Sequence, residues 1–187
     1  MENTQKTAVV TGASQGIGAG AVQAFWERGY RVVANSRNIT KVNPFAESPN
    51  LALVNGDIGD PDTAATIVDT AIARFGRNDA LVNNAGLYIS KQFTDYTVPD
   101  LRSLVSVNID GFVFITQLVI KRILAQQAGG SIVHPVLPNV IPHGLGHPGC
   151  WDLQHPGEPL GSLRMKPHED GWPVDRFPPQ GCVDSLF

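Results

Sequence analysis

The chain has 187 residues, 42% of them hydrophobic, and a net charge of -3, which suits one ordinary domain and leaves no broad basic field for nucleic acid or an anionic membrane. Its two cysteines, Cys150 and Cys182, are too few for a disulfide framework. The opening stretch MENTQKTAVV lacks the basic and apolar parts of a signal peptide, so a cytoplasmic protein is expected. The longest apolar series, Phe112 to Leu124, is broken by Thr116, Gln117, Lys121 and Arg122 and reads as a helix with one buried face. No apolar run reaches the roughly 18 residues of a membrane span.

The first predicted strand is Thr7 to Thr11. The stretch TGASQGIG, Thr11 to Gly18, follows it and leads into a helical pattern from Gly16 to Arg28. A strand, a glycine loop and a helix in that order let an anion approach bare backbone at the positive end of the helix dipole. The candidate phosphate cradle comprises Thr11, Gly12, Ser14, Gln15, Gly16, Ile17 and Gly18, although a plain turn between strand and helix could use the same glycines. The second strand, Arg31 to Asn35, tests the idea independently. An acidic residue at its end would bind the ribose of NAD, but the sequence there is Ser36 and Arg37, a hydroxyl and a guanidinium suited to a 2′-phosphate. NADP is therefore expected in preference to NAD, against the alternative that Arg37 is one more solvated arginine.

Leu51 to Asn55 is the third predicted strand, and Asp57 and Ile58 follow it. Pro61 suits the first turn of a helix over Asp62 to Phe75, which Asp57 could simply cap. A fourth strand, Ala80 to Val82, runs into Asn83, Asn84, Ala85 and Gly86, where the asparagines could instead serve a turn. A long helix over Asp100 to Gln127 carries Asn108, which could also be a satisfied core polar group, and a fifth strand spans Ser131 to Val133. Strands alternating with helices predict an α/β fold, a Rossmann-type doubly wound parallel sheet, incomplete at its C-terminal side.

At His134 the composition changes. Ten of the 14 prolines and all five histidines lie from there onward, and neither helical nor strand periodicity survives. The expected organisation is a dinucleotide-binding domain over residues 1–133 and a Pro/Gly/His-rich tail over 134–187 without recognisable fold. His143, His147, Cys150 and His155 are metal-ligand types at loose spacing, but no turn or helix is predicted to converge them, so no metal is expected.

Together with AsnAsnAlaGly at Asn83 to Gly86 and with Val107, Asn108 and Gly111 in the long helix, the glycine loop resembles the short-chain dehydrogenase/reductase family over residues 6–133. The resemblance implies an NADP(H)-dependent oxidoreductase acting on a small carbonyl or alcohol substrate. It places Thr11, Gly12, Gly16 and Gly18 at the coenzyme pyrophosphate, Asp57 with Ile58 at the adenine, and Asn84, Ala85 and Gly86 against the adenosine ribose. Asn108 falls at the family position that anchors a water in a proton relay, and pairing of subunits through the long helix, giving a homo-oligomer, is implied as well.

The family's catalytic serine and Tyr-x-x-x-Lys do not appear. The ungapped register puts Leu137, Cys150 and Gln154 in their places, the only tyrosines are Tyr30, Tyr88 and Tyr96, and the only lysine after Lys121 is Lys166. A phenol needs a nearby cation to act as acid and base at neutral pH, and Tyr88 and Lys91, three residues apart after Gly86, sit on no predicted helix that would align them. Three accounts stand side by side: a reductase with an unidentified proton donor, a non-catalytic nucleotide-binding protein, and a reductase gene product whose tail comes from a shifted frame or truncation.

Overall fold

The computed structural model describes residues 5–42, 45–134 and 162–165. Five parallel strands, β1 (Thr7–Thr11), β2 (Arg31–Ser36), β3 (Leu51–Asn55), β4 (Ala80–Val82) and β5 (Gly130–Val133), form one sheet in the order β3-β2-β1-β4-β5. A sixth, β6 (Ser162–Met165), adds antiparallel to β5. This strand comes from the stretch in which the sequence predicts none. Its pairing is a backbone property, and four residues are too few to show a periodicity.

Burial on both faces explains why the strands read as continuous apolar runs rather than alternating ones. All five residues of β1 are buried. Successive residues serve opposite sides. Val9, Val33 and Leu81 pack with Ile67 and Ala71 of α3 (Pro61–Phe75) and with Ile115, Val119 and Ile123 of α5 (Gly111–Gln126). Val10, Val32, Ala34 and Val82 pack with Val22 of α1 (Gly16–Glu27) and Ile39 of α2 (Ile39–Val42). The sheet is thus wound on both faces, as its sequence predicts.

The ends of α3 follow from local chemistry. Asp60 accepts a hydrogen bond from Asp62 N at 3.0 Å, Pro61 opens the helix, and Gly76 closes it at φ 79°. The helix predicted over Asp100 to Gln127 starts earlier and is not uniform. It consists of α4 (Val98–Val105), a π-helical turn at Ser106–Asp110, and α5. The departure has a tertiary cause: at Gly111 a Cβ would lie 2.8 Å from Ile58 Cγ2, and at Gly59 it would collide with Ser106 Oγ. The loop after β3 is pressed into this turn, and π turns of this kind concentrate at functional places. Joined through the turn, Val98–Gln126 is long and apolar enough by length and composition to cross a membrane. It sets Gly111, Ile115, Val119 and Ile123 into the core and leaves Val98, Leu101, Val105 and Ile109 exposed.

At the amino ends of the strands, buried Asp79 joins three of them. Its Oδ2 accepts from Thr7 N and Arg77 Nε, each at 2.8 Å, and its Oδ1 accepts from Arg77 Nη2 at 2.6 Å. Its backbone pairs with Thr7 O and Ser131 N. Next to it, Asn78 exchanges backbone bonds with the Gln126 side chain, at 2.7 and 2.9 Å, which ties the end of α5 to the start of β4.

Candidate cofactor site

The chain leaves β1 toward β2 on one side, and β4 lies on the other, so the strand order reverses between β1 and β4. Ligands of open α/β sheets bind in the crevice that such a reversal opens at the carboxyl ends of the strands. The glycine loop after β1 and the Asn83 to Gly86 segment after β4 meet there. Gly12 has φ 65°, and a Cβ on it would lie 2.8 Å from Ala85 Cα and 2.9 Å from Asn84 Nδ2. A Cβ on Gly18 would collide with the Gly12 carbonyl oxygen and lie 2.5 Å from Asn84 Nδ2. Asn84 Nδ2 donates to Thr11 O and Gly12 O, both at 3.1 Å, while Thr11 Oγ1 donates to Val82 O at 3.4 Å and accepts from Ala85 N at 3.0 Å. Loop, helix start and β4 exit therefore form one packed unit.

On its other side the unit is open. Gly16, at φ 57°, has no atom within 4 Å of where a Cβ would stand. Gln15 offers no side-chain cap to α1, and no acidic residue occupies its first turn, which leaves the dipole end uncompensated. Ser14 is half-buried, Gln15 and Gly16 are exposed, and Ile17 is 73% exposed. Bare backbone and an uncapped helix start fit an anion such as a pyrophosphate.

At the far end of the crevice, Ser36 closes β2 half-buried and Arg37 is exposed on the turn that follows. Buried Asn35 donates to Val54 O at 3.1 Å and to Gly56 O at 3.2 Å, so the ends of β2 and β3 are bound together. Asp57 is exposed and accepts from Gly59 N at 3.0 Å; the cap of α3 is Asp60, so Asp57 does not serve as that cap. Ile58, beside Asp57, turns its side chain inward. It is 5% exposed and packs in the core against Gly111, which leaves only its backbone for a ligand. Ala85 is half-buried and Gly86 exposed beside the glycine loop.

Asn108 occupies the π turn. Its Oδ1 accepts from Leu87 N and its Nδ2 donates to Leu87 O, both at 2.9 Å. The side chain is thus spent on fixing the exit from β4, a role that sequence reasoning misses because its partner is 21 residues away. Asn83 is likewise bound, to Val133 O through its N at 2.9 Å and to Thr116 Oγ1 through its Nδ2 at 2.9 Å. His134, just past β5, has its ring 4.8 Å from that of Phe112, and Leu137, Cys150 and Gln154 lie outside the described residues, as do His143, His147 and His155.

Tyr88 and Lys91 do not form a catalytic pair. Tyr88 is 59% exposed, and Lys91 Nζ is held by Asp100 Oδ2 at 2.6 Å. Asp100 also completes a capping box with Thr97 at the start of α4. The Lys91 ammonium, then the Thr97 hydroxyl and N–H, hold the Asp100 carboxyl well below its ordinary value of 3.8. A depressed carboxylate stabilises the fold above its unfolded-state pKa and loses that contribution as pH falls through the lower folded one. The start of α4 is therefore expected to stay capped on acidification through pH 3.8, and Lys91→Met to move the Asp100 titration upward, as followed by carboxyl NMR. An Asp100 that titrates normally in the unaltered protein would show that the pair does not form in solution.

Comparison with known proteins agrees with this geometry. The family model described as short chain dehydrogenase matches residues 6–135. The NADP-dependent (R)-specific alcohol dehydrogenase of Lentilactobacillus kefiri is 35% identical over 133 residues, which cover 69% of this chain and 53% of that protein. An uncharacterized oxidoreductase of Staphylococcus epidermidis is 32% identical over 130 residues, covering 68% and 56%. Among solved structures, 3-ketoacyl-(acyl-carrier-protein) reductase from Brucella melitensis, complexed with NADH, matches at a TM-score of 0.64 and 26% identity, over 69% of this chain and 55% of that one. The chain spans about half the length of the curated relatives it matches. With the glycine loop packed on Asn84 and Ala85 and a family match running from residue 6 to 135, this chain belongs to the short-chain dehydrogenase family.

Proposed function

We propose that residues 6–133 are the coenzyme-binding part of an NADP(H)-dependent oxidoreductase for a small alcohol or carbonyl compound, and that this chain binds the coenzyme without efficient turnover. The observation that carries the reading is the open face of the glycine loop. Gly12 and Gly18 fit only as glycines against Asn84 and the loop backbone, while Gly16 and the uncapped start of α1 face outward. In this reading Thr11, Gly12, Ser14, Gln15, Gly16, Ile17 and Gly18 hold the pyrophosphate and the ribose beside it. Asp57 and the Ile58 backbone border the adenine, and Asn84, Ala85 and Gly86 border its ribose. Ser36 and Arg37 favour a 2′-phosphate over a free hydroxyl, and the NADP-dependent relative from Lentilactobacillus kefiri supports that preference. Asn108 keeps its family position in the proton relay through its backbone, its amide being committed to Leu87.

NADP(H), when bound, supplies or accepts the hydride. Proton transfer in the family needs the serine and the Tyr-x-x-x-Lys, and the chain has no tyrosine after Tyr96. Saturable quenching or enhancement of NADPH fluorescence is expected, together with carbonyl-dependent oxidation no faster than background. Arg37→Ala is expected to weaken NADPH about tenfold or more through loss of a charge-assisted contact and to leave NADH unchanged. Absence of saturable binding removes the reading; turnover well above background removes its second half. The shift in composition at His134 favours one further account, a tail read out of frame. A serine followed by Tyr-x-x-x-Lys in another frame beyond codon 133 of the coding DNA decides for it, and absence from both frames decides against it.

A further inference from the structure

The turn that carries Arg37 is held by two polar side chains to which the coenzyme reading gives no part. β2 ends at Ser36, the chain turns through Arg37 and Asn38, and α2 starts at Ile39, whose side chain is fully buried. The next residue, Thr40, is bonded twice to Asn55 at the end of β3. Its N–H donates to Asn55 Oδ1 at 3.1 Å, and its hydroxyl accepts from Asn55 Nδ2 at 2.6 Å. Asn55 is also the register partner of Ser36 in the β2–β3 ladder, and Gly56 N donates to Ser36 O at 3.2 Å. The path from Ser36 to Thr40 is therefore pinned at both ends to the same point on β3, with Arg37 inside the closed loop.

Thr40 and Asn55 are both exposed. Polar bonds made in contact with water add little to global stability, because each group would otherwise bond to solvent. The end of β3 is already fixed from below by the Asn35 amide, through Val54 O and Gly56 O. What the reciprocal pair adds is the direction of the turn above it. A binding turn that is ordered in advance spares the ligand the cost of ordering it. That saving goes only to a ligand that contacts Arg37, and of the two nicotinamide coenzymes only the one with a 2′-phosphate does.

We propose that the Thr40–Asn55 pair positions the Arg37 turn and thereby sets the preference for NADPH over NADH. The proposal rests on the assignment of Ser36 and Arg37 to the 2′-phosphate. Its test is a set of separate fluorescence titrations of the 187-residue chain with NADPH and with NADH, for the unaltered protein and for Thr40→Val, Thr40→Ser and Asn55→Ala. Thr40→Val and Asn55→Ala are expected to weaken NADPH about five- to tenfold while NADH changes less than about twofold, and Thr40→Ser, which keeps the hydroxyl, to restore the preference. Equal losses of both coenzymes assign the pair a purely structural part and overturn the proposal. An unchanged NADPH-to-NADH ratio in Thr40→Val and Asn55→Ala, beside an unaltered protein that prefers NADPH, overturns it and leaves the Arg37 assignment standing. An unaltered protein without that preference overturns the Arg37 assignment, and this proposal with it.

Discussion

Replacement of Asp79 by alanine is expected to destabilise the domain by about 3–5 kcal/mol, the cost of breaking a buried ion pair from one side. Asp79 is 6% exposed, and its two oxygens accept three hydrogen bonds, one from Thr7 N and two from Arg77. Alanine leaves the Thr7 N–H buried at the first residue of the central strand, and it leaves a partly buried guanidinium without its carboxylate. Thr7 is fully buried, so the desolvation cost of its N–H is not returned. Asp79→Asn keeps the shape and one good acceptor and is expected to cost less, about 1–3 kcal/mol. Against a typical domain stability of about 5–15 kcal/mol the alanine variant should unfold at a far lower urea concentration with the slope unchanged. A shift worth less than about 1 kcal/mol would mean that Thr7 N finds a replacement partner, and that the network at the strand starts is dispensable.

The strands and the glycine loop were legible because their causes are local. A parallel strand covered on both faces is apolar through its middle, so Thr7–Thr11 and Leu51–Asn55 fall where short β-branched and aliphatic runs predict them. Pro61 marks the start of α3 for an equally local reason. The rest depends on contacts between distant residues. The π turn at Ser106–Asp110 arises where Gly59 meets Ser106 and Gly111 meets Ile58, and no helical periodicity announces it. For the same reason Ile58 reads as a neighbour of the adenine but places its side chain in the core. Asn108 reads as a relay residue, yet its amide is committed to Leu87. Thr40 and Asn55 carry no motif; only the pairing of β2 with β3 brings them together across 15 residues.

At Gly18 two effects of opposite sign can be weighed in one substitution. Alanine is the better helix former by about 1 kcal/mol, and Gly18 lies in the first turn of α1, so propensity alone favours the change. The added methyl, however, would meet the Gly12 carbonyl oxygen below van der Waals distance and would stand 2.5 Å from Asn84 Nδ2. The nearer obstacle is backbone, which cannot turn aside as a flexible side chain would. The start of α1 has to move off the loop, or Asn84 has to give up its bonds to Thr11 O and Gly12 O. Either response misplaces the N–H groups that would face a phosphate, and groups of this kind lose their effect with displacements of about 1 Å. Gly18→Ala is therefore expected to lower the affinity for NADPH and NADH together by about 100-fold, whereas displacement of Arg37 affects NADPH alone. Gly20 supplies the internal control. It lies on the same helix with no atom within 4 Å of a Cβ, so Gly20→Ala should gain about 0.5–1 kcal/mol of stability and leave both affinities unchanged. Near-normal coenzyme binding by a folded Gly18→Ala protein would place the anion site elsewhere than the glycine loop. Loss at Gly18 with gain at Gly20 would tie binding to the close approach of α1 to Gly12, because the two substitutions differ in what the methyl group meets.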